Sequence, residues 1–220
     1  MKQIATTTLS FPEINLAVRD AHKIRGFFGE FFKEHSPLLH NHMGNGELKY
    51  SYPLVQYKVI NKTPMLVGIN EGGELLTRLF TSIDHLDIDG EKIQVTNKRI
   101  QNEMAEVGVA EKLHEYNFAT LWMALNQDNY STYVKQDEKA QKEMLERILT
   151  GNILSFYKSI DYQEKEKILV NTNLDHKSTN FKNKRMIVFT GSMVTNARLP
   201  EYIGLGKSVA RGFGTIQRAK

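Results

Sequence analysis

The chain has 220 residues, 40% hydrophobic and 10% aromatic, with a formal net charge of +4. That apolar content suits one large domain or two small ones with real cores and excludes a disordered chain. Cysteine is absent, which excludes disulfides, thiolate zinc sites and a cysteine nucleophile. There is no run of about 18 or more apolar residues and no signal-peptide pattern, so neither a membrane span nor secretion is expected, and a cytoplasmic location fits.

In chain order, KQIATTTLS (2–10) reads as a strand, and the apolar spacing of Leu16, Ala17, Ile24, Phe27, Phe28, Phe31 and Phe32 predicts a helix over about 16–33. Pro37 and Gly44-Asn45-Gly46 mark a loop. LKYSYPLVQYKVI (48–60) reads as a strand interrupted at Pro53, and PMLVGI (64–69) as a second strand after an Asn61-Lys62 turn. A short helix over 71–82 and a hairpin over 84–97, turning at Asp89-Gly90, complete the first half. Residues 105–125 read mainly as extended structure. A polar helix over 136–149, ended by Gly151, is followed by another helix to about Ile160. Residues 168–195 predict a long hairpin, and a short strand at 213–218 closes the chain. The order strand, helix, two strands, helix, strand occurs twice, which is the split βαβ arrangement, at about 100 residues per copy. The fold class is therefore α+β, with domains over 1–102 and 103–220; other α+β folds also fit this order.

Charge is distributed unevenly. Residues 176–220 carry nine Lys or Arg against the single acid Glu201, a local charge of +8 that leaves −4 on the other 175 residues. A concentrated basic end suits a polyanionic partner. Within it stands Gly204-Leu205-Gly206-Lys207-Ser208, which ends like a nucleotide-binding P-loop. A P-loop needs a glycine where this chain has Glu201, and a helix after the motif, where Gly212 and Gly214 intrude. Nucleotide binding through this motif is thus disfavoured. What remains is a stretch in which glycines 204, 206, 212 and 214 let backbone N–H groups approach an anion, with Lys207 and Arg211 adding charge. The competing reading is a turn before the last strand.

GLGKSVARGFG (204–214) resembles the glycine-rich loop of the RAMP superfamily. Ile24-Arg25-Gly26-Phe27-Phe28-Gly29 in the first helix, Leu39-His40-Asn41-His42 after it, Tyr52 to Ile60, and GNILSFYKSI (151–160) extend the likeness over most of the length. The chain resembles, more specifically, the CRISPR-associated endoribonucleases that cut precursor CRISPR RNA within its repeats. The resemblance implies two tandem ferredoxin-like domains, repeat-RNA binding, and cleavage without metal or other cofactor that leaves a 2′,3′-cyclic phosphate. The partners it implies are CRISPR repeat RNA, other CRISPR interference proteins and a second copy in a homodimer, with no membrane. Some members bind RNA without cutting it, so a catalytically inactive repeat-RNA-binding subunit of an interference complex is the alternative.

Cutting RNA through its own 2′-hydroxyl needs a base for that proton and an acid for the 5′-oxygen leaving group. Histidine, with an ordinary pKa of about 6.5, suits both roles. His40 and His42 lie two apart in a loop, a spacing that shares one face in extended backbone. His42 is the candidate base and His40 the candidate acid or phosphate partner; a metal-binding pair and a plain surface histidine are the competing readings. Related enzymes place a catalytic histidine after the first helix, some with a tyrosine shortly downstream, which nominates Tyr50 and Tyr52, with Lys49 as electrostatic support. Arg25 in the first helix and Lys182, Lys184 and Arg185 at the tip of the long hairpin are candidate RNA contacts, beside the glycine-rich stretch. His22, His35, His85, His114 and His176 receive structural readings.

Overall fold

A computed structural model describes residues 1–31, 52–181 and 184–219. His40, His42, Lys49, Tyr50 and Lys182 lie outside the described residues. The chain divides into two compact units. The first comprises Gln3–Ala105 together with Val209–Gly212, and the second Met1–Lys2, Glu106–Ser208 and Phe213–Lys220.

The first unit is built from β1 (Lys2–Ser10), α1 (Ala21–Phe31), β2 (Val55–Ile60), β3 (Thr63–Ile69), α2 (Glu71–Leu79), a small hairpin of β4 (His85–Ile88) and β5 (Glu91–Gln94), and the start of β6 (Arg99–Phe118). Its strands run in the order β2-β3-β1-β6. β1 pairs antiparallel with β3, Thr6 opposite Ile69, and β2 with β3, Val55 opposite Gly68. This is the ferredoxin-like βαββαβ order, with β4 and β5 inserted before the last strand. Two tight turns set the registers: Asn61 and Lys62 at φ 50° and 68°, and Asp89 and Gly90 at φ 58° and 86°. Both central residues at positive φ is the twist that suits a two-residue hairpin. Phe11, Ile24, Phe28, Tyr57, Leu66, Leu75 and Leu76 are among the buried core residues, and Phe28 stacks between Phe11 and Tyr57 with centroids 6.4 and 5.9 Å away. The first helix starts later than its apolar pattern predicts, because a 3-10 turn over Val18–Asp20 precedes it.

The second unit contains the rest of β6, α3 (Gln127–Tyr133), α4 (Glu138–Ser159), β7 (Val170–Phe181), β8 (Lys184–Arg198) and β9 (Ile216–Arg218). β9 pairs with β6, and the order continues β6-β8-β7. This is again the ferredoxin-like order, so the protein has two tandem domains of α+β class. Both helices of this unit lie between β6 and β7. Between β8 and β9, the position of a second helix in that order, stands the glycine-rich stretch.

Two sequence expectations change here. Gly151 does not end a helix: α4 runs unbroken through it, capped by Asp137, whose carboxylate accepts from the Ala140 amide at 2.8 Å. Its buried stripe, Leu145, Leu149, Ile153, Phe156 and Tyr157, crosses Gly151 without using it. Full burial of each such side chain stabilises by about 1.5–3 kcal/mol, which outweighs the roughly 1 kcal/mol cost of an interior glycine. α3 is the element missing from the sequence reading. Its sequence QDNYSTY has no apolar period, and it is held by a reciprocal cap in which the Asn129 amide donates to Asn126 Oδ1 at 2.7 Å and the Asn126 amide to Asn129 Oδ1 at 2.6 Å. Among the described residues, no helix is long and apolar enough to cross a membrane.

Candidate nucleic-acid interface

The glycine-rich stretch is a set of turns. After Tyr202, at φ 61°, the chain zips against its own continuation: the Tyr202 amide donates to the Ile216 carbonyl, Ile216 to Ile203, and Leu205 to Gly214, at 2.9–3.0 Å. The Gly214 amide donates to the Leu121 carbonyl at 2.8 Å and the Gly212 amide to that of Val209 at 3.1 Å. Gly204, Gly212 and Gly214 are buried. The expectation that these glycines open amides to an anion therefore fails for Gly212 and Gly214, whose N–H groups are engaged inside the protein. Ser208, at φ 57°, does not open a helix as a P-loop serine does; a single 3-10 turn over Val209–Arg211 follows. Glu201 has a structural task, its carboxylate accepting from the Arg218 amide at 2.9 Å.

What the glycines do is hold two cations. In the second unit, Gly206 lies at φ 91°, and a Cβ there would meet Trp122 Nε1 at 2.6 Å and the Met123 carbonyl at 2.9 Å. No other residue fits that conformation and that proximity. The next amide, of Lys207, donates to the Met123 carbonyl at 3.1 Å, so the Lys207 backbone is fixed against the start of the helical region. In the first unit, Gly212 at φ 84° sits where a Cβ would come within 2.9 Å of Ala21 Cβ and 3.1 Å of the Tyr57 carbonyl. This seats Arg211 against α1 and β2.

Four of the predicted RNA-binding cations thus lie at two sites. In the first unit, Arg211 lies close enough to Arg25 of α1 that burial first, and the Arg25 charge second, pull it below its ordinary pKa. Both guanidiniums are half-buried. An arginine stays charged through such a shift, so two like charges are held together, an arrangement that a phosphate between or beside them would relieve. In the second unit, Lys207 and Arg185 line a cleft of about 770 Å³ with Leu125, Asn126, Gln127, Tyr130, Ser178, Met186 and Ile187. Partial burial pulls Lys207 below its ordinary pKa, opposed by the Asp128 carboxylate. Lys184 begins β8 opposite Phe181 at the hairpin tip.

Three other histidines, His22, His85 and His114, have structural surroundings. His22 Nδ1 donates to the Arg19 carbonyl at 2.6 Å, and His85 pairs with Asp84 at 2.6 Å while its ring meets Phe27 edge-on. His114 is buried and accepts from Arg218 Nη2 at 2.7 Å; burial and that arginine both hold it below the usual histidine range. Sequence reasoning missed Lys58. It is fully buried in β2, donates to Gln56 Oε1 at 2.9 Å, and Gln56 Nε2 in turn donates to the Pro53 carbonyl at 3.1 Å. Burial lowers the Lys58 amine to about 7. The signal available was weak: a lysine between Tyr57 and Val59 in a strand reads as an outward residue.

Two ferredoxin-like domains stand in tandem, with a glycine-rich stretch before the last strand of the second. Residues 2–106 match the model of the Cas6b N-terminal domain, and residues 108–219 that of the Cas6b C-terminal domain. A crystal structure of Cas6b superimposes with a TM-score of 0.92 at 35% identity, covering 99% of this chain and 100% of that one. A second, described as the CRISPR RNA processing endoribonuclease Cas6b, does so with a TM-score of 0.81 at 32% identity, covering 99% of this chain and 100% of that one. An uncharacterized protein of Methanocaldococcus jannaschii is 37% identical over 144 residues, 64% of this chain and 97% of that protein. The chain belongs to the Cas6b family.

Proposed function

We propose that this protein is a CRISPR-associated endoribonuclease that binds precursor CRISPR RNA and cleaves it within the repeat. The observation that carries this reading is the match of both domains, almost end to end, to the Cas6b family, one solved relative of which is described as a CRISPR RNA processing endoribonuclease. The paired arginines of the first unit and the cationic cleft of the second support it, since each suits a backbone phosphate.

The chemistry requires no redox step and no group beyond the substrate. His42, as base, takes the 2′-hydroxyl proton; the 2′-oxygen attacks the adjacent phosphorus, and the bond to the 5′-oxygen breaks. His40, as acid, gives that oxygen its proton, leaving a 2′,3′-cyclic phosphate and a 5′-hydroxyl. Charge developing on the phosphate is met by cations, for which Lys49 is the candidate, and Tyr50 and Tyr52 are candidates to orient the reacting groups. Acid–base catalysis of this kind is worth about 10²–10⁴-fold. Incubation with repeat RNA in EDTA tests the assignment: cleavage proceeds in the wild type, and His40→Ala with His42→Ala together lowers the rate by at least about a hundredfold. Cleavage undiminished in the double variant would remove both histidines from the mechanism. Tight binding of intact RNA by the wild type would instead make the protein a non-cutting RNA-binding subunit.

A further inference from the structure

The cleft of the second unit contains more than phosphate binding needs. Tyr130 stands on α3 at 45% exposure, its helix pinned by the reciprocal Asn126–Asn129 cap and by its own amide bond to the Asn126 carbonyl at 3.0 Å. Around it are the apolar surfaces of Leu125, Met186 and Ile187, the amides of Asn126 and Gln127, and the cations Arg185 and Lys207. Asn126 Oδ1 is engaged by the cap, which leaves its side-chain NH₂ as a donor on that residue. Arg185 has no carboxylate partner among the described residues, and Lys207 feels only Asp128.

These groups match the parts of one nucleotide. A base needs an aromatic face and an apolar surface to lie against, with donors for its ring nitrogens and carbonyls, and its phosphate needs cations a few ångströms away. A base inside a duplex already has both faces covered and cannot enter. The geometry points to a pocket for a single unpaired nucleotide of RNA, its base stacked on Tyr130 beside Met186 and its phosphate held by Arg185 and Lys207. This rests on the RNA-processing reading above and extends it: the second unit distinguishes unpaired from paired RNA by stacking as well as by charge. The fixed backbone of Lys207, set by Gly206, keeps the phosphate end in register with the stacking end.

The test uses the full chain with three RNAs: the repeat, a short single-stranded oligouridine, and the repeat annealed to its full complement. Trp122 is fully buried, so in Tyr130→Trp the introduced indole is the reporter that solvent and RNA can reach. Its fluorescence should be quenched by the repeat and by oligouridine and left unchanged by the duplex. Tyr130→Ala should weaken oligouridine binding about tenfold with its salt dependence unchanged. Arg185→Met and Lys207→Met should each reduce the log–log salt slope by about one. An unquenched indole with RNA demonstrably bound, or Tyr130→Ala binding all three RNAs as the wild type does, would overturn the pocket alone. A wild type that binds no RNA would overturn the RNA-processing reading, and the pocket with it.

Discussion

In the first unit, α1 and α2 alternate with the strands, and the arginine pair is built on a helix and a short turn seated against it. In the second, both helices come before β7, and glycine-rich turns stand where another helix would be. The strand order is the same, so the difference lies in how each unit holds its cations. Arg25 and Arg211 are half-buried and press like charge against like charge. Lys207 and Arg185 line an open cleft beside apolar and aromatic surface. The first arrangement suits a fixed, dehydrated phosphate; the second suits a mobile strand whose base also contributes. Helix α1 also leads, in sequence, into the stretch that carries His40 and His42.

If that contrast holds, the two pairs should fail differently. Arg25→Ala or Arg211→Ala should lower kcat/KM for repeat cleavage by about 10–100-fold, the loss of a hydrogen bond to a charged group. Folding stability should be unchanged or higher in Arg25→Ala, which relieves the like-charge contact. Lys207→Ala should raise KM and leave kcat near wild type. Equal effects on kcat from both pairs would break the comparison.

A smaller effect concerns Lys58 of the first unit. Its folded pKa of about 7 lies below its ordinary 10.5, so between these values the folded protein binds fewer protons than the unfolded chain. Stability therefore rises with pH across that window, and the full cost of burying the charge is present at and below pH 7. Lys58→Met should stabilise by about 1–3 kcal/mol at pH 7. The gain should shrink as pH climbs toward 10.5, as read from urea melts at several pH values. Smallest is Gly151→Ala in the second unit. The site is exposed, with nothing within 4 Å of an added Cβ. The substitution should add about 0.5–1 kcal/mol in thermal or urea melts.

What the sequence disclosed follows physical range. The long hairpin of β7 and β8, the Asp89-Gly90 turn and strand β1 are written in local alternation and turn residues, and local pattern decides them. The short helix α3 escaped because side-chain caps from Asn126 and Asn129, not an apolar period, hold it. Gly151 misled because its cost is local while the stripe of α4 is continuous around it. The meeting of Arg25 with Arg211 depends on tertiary packing between residues far apart in the chain, and so does the burial of Lys58. The glycine-rich motif pointed to Lys207 and the basic hairpin tip to Arg185, but neither pointed to Tyr130, which shares their cleft only through tertiary packing.

We propose that the RNA is cut by its own 2′-hydroxyl. The direct test is a repeat RNA carrying one 2′-deoxy nucleotide immediately 5′ of the mapped scissile phosphate, incubated in EDTA beside the unmodified repeat, with the product ends read by mass spectrometry. The unmodified RNA should yield 2′,3′-cyclic phosphate and 5′-hydroxyl ends, and the deoxy substrate should stay intact while still binding. Cleavage of the deoxy substrate, or products ending in a 3′-hydroxyl and a 5′-phosphate, would contradict it.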